Sequence, residues 1–91
     1  MVTVRHHPCP KHRQDLLDAM SRINASSAQV PGLIVEAAFE EEQGAILAVS
    51  LWSSPEAVQP GMAQLLGFAG DIDLPAWEGR PPEMSMLRSA L

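Results

Sequence analysis

Between Ala45 and Leu51 the chain carries Ile46, Leu47, Ala48, Val49 and Leu51 with a single polar interruption, Ser50, before Trp52. In an extended strand Ile46, Ala48 and Trp52 point to one side, while Leu47, Val49 and Leu51 point to the other. A strand with one wet face alternates apolar and polar residues, so an element apolar on both sides predicts cover on both. Ser53 and Glu56 then stand at capping-box spacing. Pro55 suits a first helical turn, where the N–H it lacks has no partner anyway. The strand is therefore expected to run directly into a helix.

The rest of the chain resolves into further elements. Val2 to His7 reads as a first strand, with Val2, Val4 and His6 on one side and Thr3, Arg5 and His7 on the other, ended by Pro8 and Pro10. From Lys11 to about Ala28, Leu16, Leu17, Met20 and Ile23 fall at helical spacing, which predicts an amphipathic helix laid on a sheet. Pro31-Gly32 signals a turn. Leu33 to Glu40 follows as a strand with Leu33, Val35, Ala37 and Phe39 on one face, and Glu41 to Gly44 reads as a hairpin loop. Pro60-Gly61 is expected to break or kink the second helix before Met62, Leu65, Leu66 and Phe68. Residues 70 to 82 show no periodicity and form a long loop, a candidate lid. Glu83 to Leu91 reads as a last strand. The order βαββαβ predicts an α+β, ferredoxin-like fold, a four-stranded antiparallel sheet with both helices on one side.

At 91 residues the chain is expected to form one domain, spanning 1–91, whose core is small for its surface. Cover for the second face of the sheet is then most simply a second copy, so a homodimer is expected. The net charge of −5 and the single lysine, Lys11, argue against a nucleic-acid or anionic-membrane surface, because both need clustered cations. No segment has signal-peptide form or is long enough to span a bilayer, and a cytoplasmic location is the expectation. Cys9 is the only cysteine, which leaves no intrachain disulfide.

The Pro31-Gly32-Leu33 lead-in to the second strand and the Trp52-Ser53-Ser54-Pro55-Glu56-Ala57 exit from the third, set in this element order, resemble the antibiotic biosynthesis monooxygenase family over nearly the whole chain. That resemblance implies a dimeric α/β barrel in which two sheets pack face to face and each subunit keeps a pocket between sheet and helices. It further implies oxidation of aromatic, polyketide-like or quinol-type compounds by dioxygen without flavin, metal or haem, the substrate itself supplying the electrons. The chain carries no Gly-rich phosphate-binding signature and no zincin or Cys-pair spacing, and no cofactor is expected. It also has no tyrosine, so a tyrosine-based proton relay of the kind found in some polyketide-oxidising members is excluded. Haem-degrading relatives need a histidine on the second helix, and none follows His12.

Such chemistry asks for a dry aromatic pocket, a base to form a phenolate or enolate, and a donor for the developing negative charge. By parity His6 faces the pocket and is the candidate base. Arg80 is the candidate for holding an anion, its alternative being a solvated loop residue. Trp52 shares a strand face with small Ala48 and Ser50. With Ser50, Trp77 and Phe68 it is a candidate for lining a substrate site, though Trp52 could equally fill the core and Trp77 could anchor the loop. His6, His7, Cys9 and His12 invite a metal reading, but their spacing fits no familiar signature and no metal site is expected. Two further functions stay open beside the oxygenase. One is a module that binds a small apolar ligand without turnover, and the other is an isomerase or cyclase that needs a base and no oxygen.

Overall fold

The computed structural model describes residues 1–90. Strand β1 (Val2–His6) leads through a 3-10 turn, Pro10–His12, into helix α1 (Arg13–Ser26). Strands β2 (Leu33–Glu40) and β3 (Ile46–Trp52) form the hairpin, and helix α2 (Val58–Phe68), a short helix α3 (Leu74–Trp77) and strand β4 (Glu83–Met86) complete the chain. The sheet order is β2-β3-β1-β4 with every pair antiparallel, the α+β arrangement expected from the element order.

Alternate positions of each strand separate the two faces. Val2, His6, Ile46, Ser50 and Trp52 are buried, the side on which α1 and α2 lie. Val2, Val30, Trp52, Val58 and Leu65 form one cluster, and Leu16, Met20 and Ile46 form a second. Arg22 of α1 donates through Nε (3.0 Å) and Nη2 (2.7 Å) to the carbonyl of Ala69 just past α2. A cation thus meets unpaired carbonyls at a helix C-terminus, and the two helices are tied together. The opposite face carries Leu47, Val49 and Leu51 beside their partners Phe39, Ala37 and Val35. Among the described residues no element covers it, and Val35 and Phe39 are 53% and 56% exposed.

The two segments singled out in the sequence meet in space. Gly32 adopts φ +83°, a conformation a side chain disfavours, and a Cβ there would collide with Ala57. Ser53 N–H donates to the Gly32 carbonyl at 2.7 Å, and Leu33 pairs with Trp52. The turn before β2 and the exit from β3 therefore form one joint.

Several local expectations need correction. Pro60-Gly61 does not break α2, because Pro60 falls in the first turn of the helix, where its missing N–H removes no intrahelical bond. The discontinuity lies earlier, in the 3-10 turn Pro55–Ala57. The capping box does not form either. Ser54 is the N-cap and makes no side-chain cap bond. A bulge between Leu33 and Val35 shifts the register of β2. It turns Leu33 toward the Trp52 cluster, away from the face of Val35, Ala37 and Phe39. In the 70–82 segment, Asp73 caps the four-residue α3 by accepting from Ala76 N–H, an element too short to show a period. β4 ends at Met86, and Leu91 lies outside the described residues.

Candidate functional site

Between the sheet and the helices lies a cavity of about 260 Å³. Its wall is mostly apolar: Val4 and Ala48 from the sheet, Leu16, Met20 and Ile23 from α1, and Leu65 from α2. The polar side chains on it are His6, Ser50 and Glu36.

His6 is placed by strand parity, as expected, and is 9% exposed. Its Nδ1 shares a hydrogen bond of 3.2 Å with Glu78 Oε1. That oxygen also accepts from the backbone N–H of His7 at 2.8 Å. In the neutral tautomer whose Nδ1–H donates to the Glu78 carboxylate, Nε2 keeps its lone pair, the form required of a base. Glu78 Oε2 is buried without a partner among the described residues. An unsatisfied buried acceptor costs about 1–3 kcal/mol, more when charged, and such a group draws attention to the site that holds it.

The carboxylate is delivered by the long loop. Cys9 N–H donates to the Trp77 carbonyl (2.7 Å) and Gly79 N–H to the His7 carbonyl (2.8 Å), flanking a bridge between Pro8 and Glu78. Trp77 stacks on His12 with ring centroids 6.2 Å apart and packs against the Leu16–Met20–Ile46 cluster. It does not line the cavity. Its place is that of an anchor for the loop, and the residue after it is the one delivered to the site.

At the far end stands Ser50, whose Oγ accepts from Trp52 Nε1–H at 2.8 Å. The hydroxyl proton of Ser50 is therefore free to be donated elsewhere. Glu36 is directly opposite Ser50 across β2 and β3. Asn24 Nδ2 donates to its Oε2 (2.8 Å) and to its carbonyl (3.1 Å), while Oε1 has no partner among the described residues. The cavity thus has two polar ends separated by an apolar middle. Val2 pairs with Ser50 and His6 with Ile46, so the ends lie four residues apart along the strands.

Other sequence candidates are placed elsewhere. Trp52 is 8% exposed in the core cluster. Its indole edge fits against α2 only because residue 61 is glycine, since a Cβ at Gly61 would overlap the ring. It reaches the cavity indirectly, through its bond to Ser50. Phe68 packs on the same core cluster and is not part of the cavity wall. Arg80 lies outside, in a polar groove with Arg5, His7, Arg13 and Glu41. Its Nη2 approaches His7 Nδ1 at 3.4 Å, and His7 Nε2 pairs with Glu83 Oε1 at 2.6 Å. The bond from His7 and nearby cations hold the Glu83 carboxyl below its usual range, and the hydrogen bond and charge of Glu41 raise Arg5. Strand parity sends His7 to the side away from His6, while His12 turns to Asp15 (2.9 Å). The histidines therefore diverge, and no group of three or more metal-ligating side chains occurs among the described residues.

Glu78 and Glu36 were not anticipated. Glu78 sits in a stretch with no periodicity, and only the fold brings it to His6. Glu36 was readable in principle from its alternation with Val35 and Ala37, but which of its neighbours shared its face depended on the bulge.

No protein-family model matches the sequence, and no curated protein matches it significantly. Solved structures do match in fold. Rv0793 from Mycobacterium tuberculosis superposes with a TM-score of 0.79 at 17% identity, over 99% of this chain and 96% of the other. A provisionally named antibiotic biosynthesis monooxygenase from Nitrosomonas europaea gives 0.83 at 9% identity, over 99% and 97%. SnoaB, a cofactor-independent oxygenase from Streptomyces nogalater, gives 0.70 at 18% identity, over 99% and 93%. At these identities the likeness establishes the fold. Among the described residues no helix is long and apolar enough to cross a membrane.

Proposed function

Proceeding from the antibiotic biosynthesis monooxygenase fold that this chain adopts, we propose that it is a cofactor-independent oxygenase of small aromatic compounds. The observation that carries this reading is a buried histidine, His6, on the wall of an apolar cavity and backed by the buried carboxylate of Glu78. His6 Nε2 takes the proton of a phenol or enol, and Glu78 positions the ring and stabilises the imidazolium that results. The apolar wall keeps water from the electron-rich anion, which transfers electrons to dioxygen. For a naphthol-type substrate the balance is one oxygen atom into the ring to give a quinone and the other released as water, with all four electrons supplied by the substrate.

Size narrows the substrate. A cavity of about 150 Å³ holds benzene, so the 260 Å³ here suits one or two rings rather than the three or four of a polycyclic ketide. The uncovered apolar face of the sheet supports pairing with a second copy, which would place Leu47, Val49 and Phe39 against their counterparts. Arg80, Trp77 and Phe68 have no role in the proposed reaction, and Trp52 acts only by orienting Ser50.

Oxygen uptake tests the proposal. Protein-dependent consumption with a panel of naphthols and hydroquinones is expected to fall by about 10²-fold or more in His6→Gln, the usual scale for loss of a general base. No uptake with any compound, or an unchanged rate in the variant, would overturn it. The same pair favours one alternative, an isomerase or cyclase, because a positioned base needs no oxygen to move a proton. Turnover of an enolisable substrate under nitrogen would select that alternative.

A further inference from the structure

The two polar ends of the cavity carry different hydrogen-bonding demands. At the His6 end, Nε2 accepts from an acidic hydroxyl. At the other end two groups face one another across β2 and β3, Glu36 with Oε1 unpaired and Ser50 with a hydroxyl proton to give. Their Cβ atoms, as a directly opposed pair, are about 5 Å apart, close enough to share one ligand atom. That atom must donate to Glu36 and accept from Ser50. A hydroxyl satisfies both. A ketone accepts from Ser50 but turns lone pairs toward the carboxylate, and an ammonium has nothing for Ser50 to donate to.

The span between the ends fixes the length of the ligand. Four residues along a strand cover about 13 Å. His6 on β1 and Ser50 on the neighbouring β3 are also offset by one strand spacing of about 4.8 Å, which makes the span about 14 Å. With both side chains perpendicular to the sheet, one hydrogen bond of about 2.8 Å at each end leaves roughly 8 Å between the two ligand oxygens. A single dihydroxylated ring is shorter than this. Hydroxyls at opposite ends of two fused aromatic rings match it, and so does the cavity volume.

We propose that Glu36, with Ser50, is a specificity-determining site that selects ligands bearing a second hydroxyl at the end remote from the reacting one, with a two-ring diol as the preferred class. The proposal rests on the reading of this cavity as the substrate site and adds which substrates enter it. Glu36 touches the ligand end where no proton is removed, so its contribution is to binding.

Calorimetric titration under nitrogen, where turnover is absent, separates selection from reaction. Wild type is expected to bind naphthalene-2,6-diol about tenfold or more tighter than naphthalen-2-ol, the scale of one hydrogen bond to a charged acceptor. In Glu36→Ala that preference is lost while affinity for naphthalen-2-ol stays within about twofold, which also reports an intact cavity. Glu36→Gln keeps the size of the side chain and an acceptor oxygen without the charge, and is expected to retain a reduced preference. Equal affinities in wild type, a full preference surviving in Glu36→Ala, or no binding of either compound would overturn the proposal. If the diol is preferred under nitrogen and no oxygen is consumed when air is admitted, the oxygenase reading fails and the two-ended selection stands.

Discussion

Two glycines of α2 receive the same substitution with opposite expected results. Gly61 faces the indole of Trp52, and a Cβ built there falls well inside van der Waals contact with the ring carbons, with a Val30 methyl close by. Gly67 lies on the same helix with nothing within contact range of an added Cβ. Alanine at either site gains about 1 kcal/mol of helix propensity. At Gly61 that gain is set against overpacking of a buried aromatic, about 1–3 kcal/mol, and against the Trp52–Ser50 bond, about 1 kcal/mol, because the ring cannot retreat and keep it. Gly61→Ala is therefore expected to destabilise by about 2 kcal/mol, which for a domain of this size lowers Tm by about 10 °C. Gly67→Ala should raise Tm by about 4 °C. Thermal denaturation followed by circular dichroism, at one protein concentration so that self-association does not enter, reads both. A Gly61→Ala protein as stable as wild type would refute the packing of Trp52 on the helix backbone.

Three further outcomes are expected. Leu47→Asp puts a charge in the centre of the uncovered apolar face and should convert the proposed dimer to monomer in sedimentation velocity. A dimer of unchanged stability would contradict that use of the face. Glu83 is held below the ordinary carboxylate value of 4.5, chiefly by its bond from His7. Its stabilising effect is therefore full above that value and is lost as pH falls through the lowered one. The Tm difference between wild type and Glu83→Gln should accordingly vanish on acidification, and a gap constant with pH would count against the pairing. Glu78→Gln keeps the shape of the buried side chain but offers no charge to an imidazolium. Oxygen uptake should drop while binding of naphthalen-2-ol holds, and a proportional loss of both would reassign Glu78 to structure alone.

Much of the fold was legible because it rests on local repeats. The two-residue alternation of Val2, Val4 and His6 and the helical spacing of Leu16, Met20 and Ile23 are properties of short windows, and the structure keeps them. The Pro60-Gly61 expectation failed for a reason of position. A proline opposes a helix only where an N–H is needed, and the 3-10 turn before Val58 put Pro60 where none is. Leu33 was misassigned because a single inserted residue inverts the parity of what precedes it, and bulges leave little trace in composition.

The site divides along the same line. That His6 and Ser50 point toward the helices was legible because each lies in a strand whose faces the sequence sorts. Glu78 is 72 residues from its partner, in a loop whose course is set by the Trp77 plug and by backbone bonds to Cys9 and His7. Glu36 gained meaning only when the register of β2 against β3 placed it opposite Ser50. The sequence by itself determined which faces are apolar, the order of the elements and the two-sided character of β3, because periodicity is written in neighbouring residues. Only the tertiary structure decided which carboxylate lines the cavity, which one backs His6 and how far apart the polar ends stand, because those distances depend on chain segments that the sequence keeps apart.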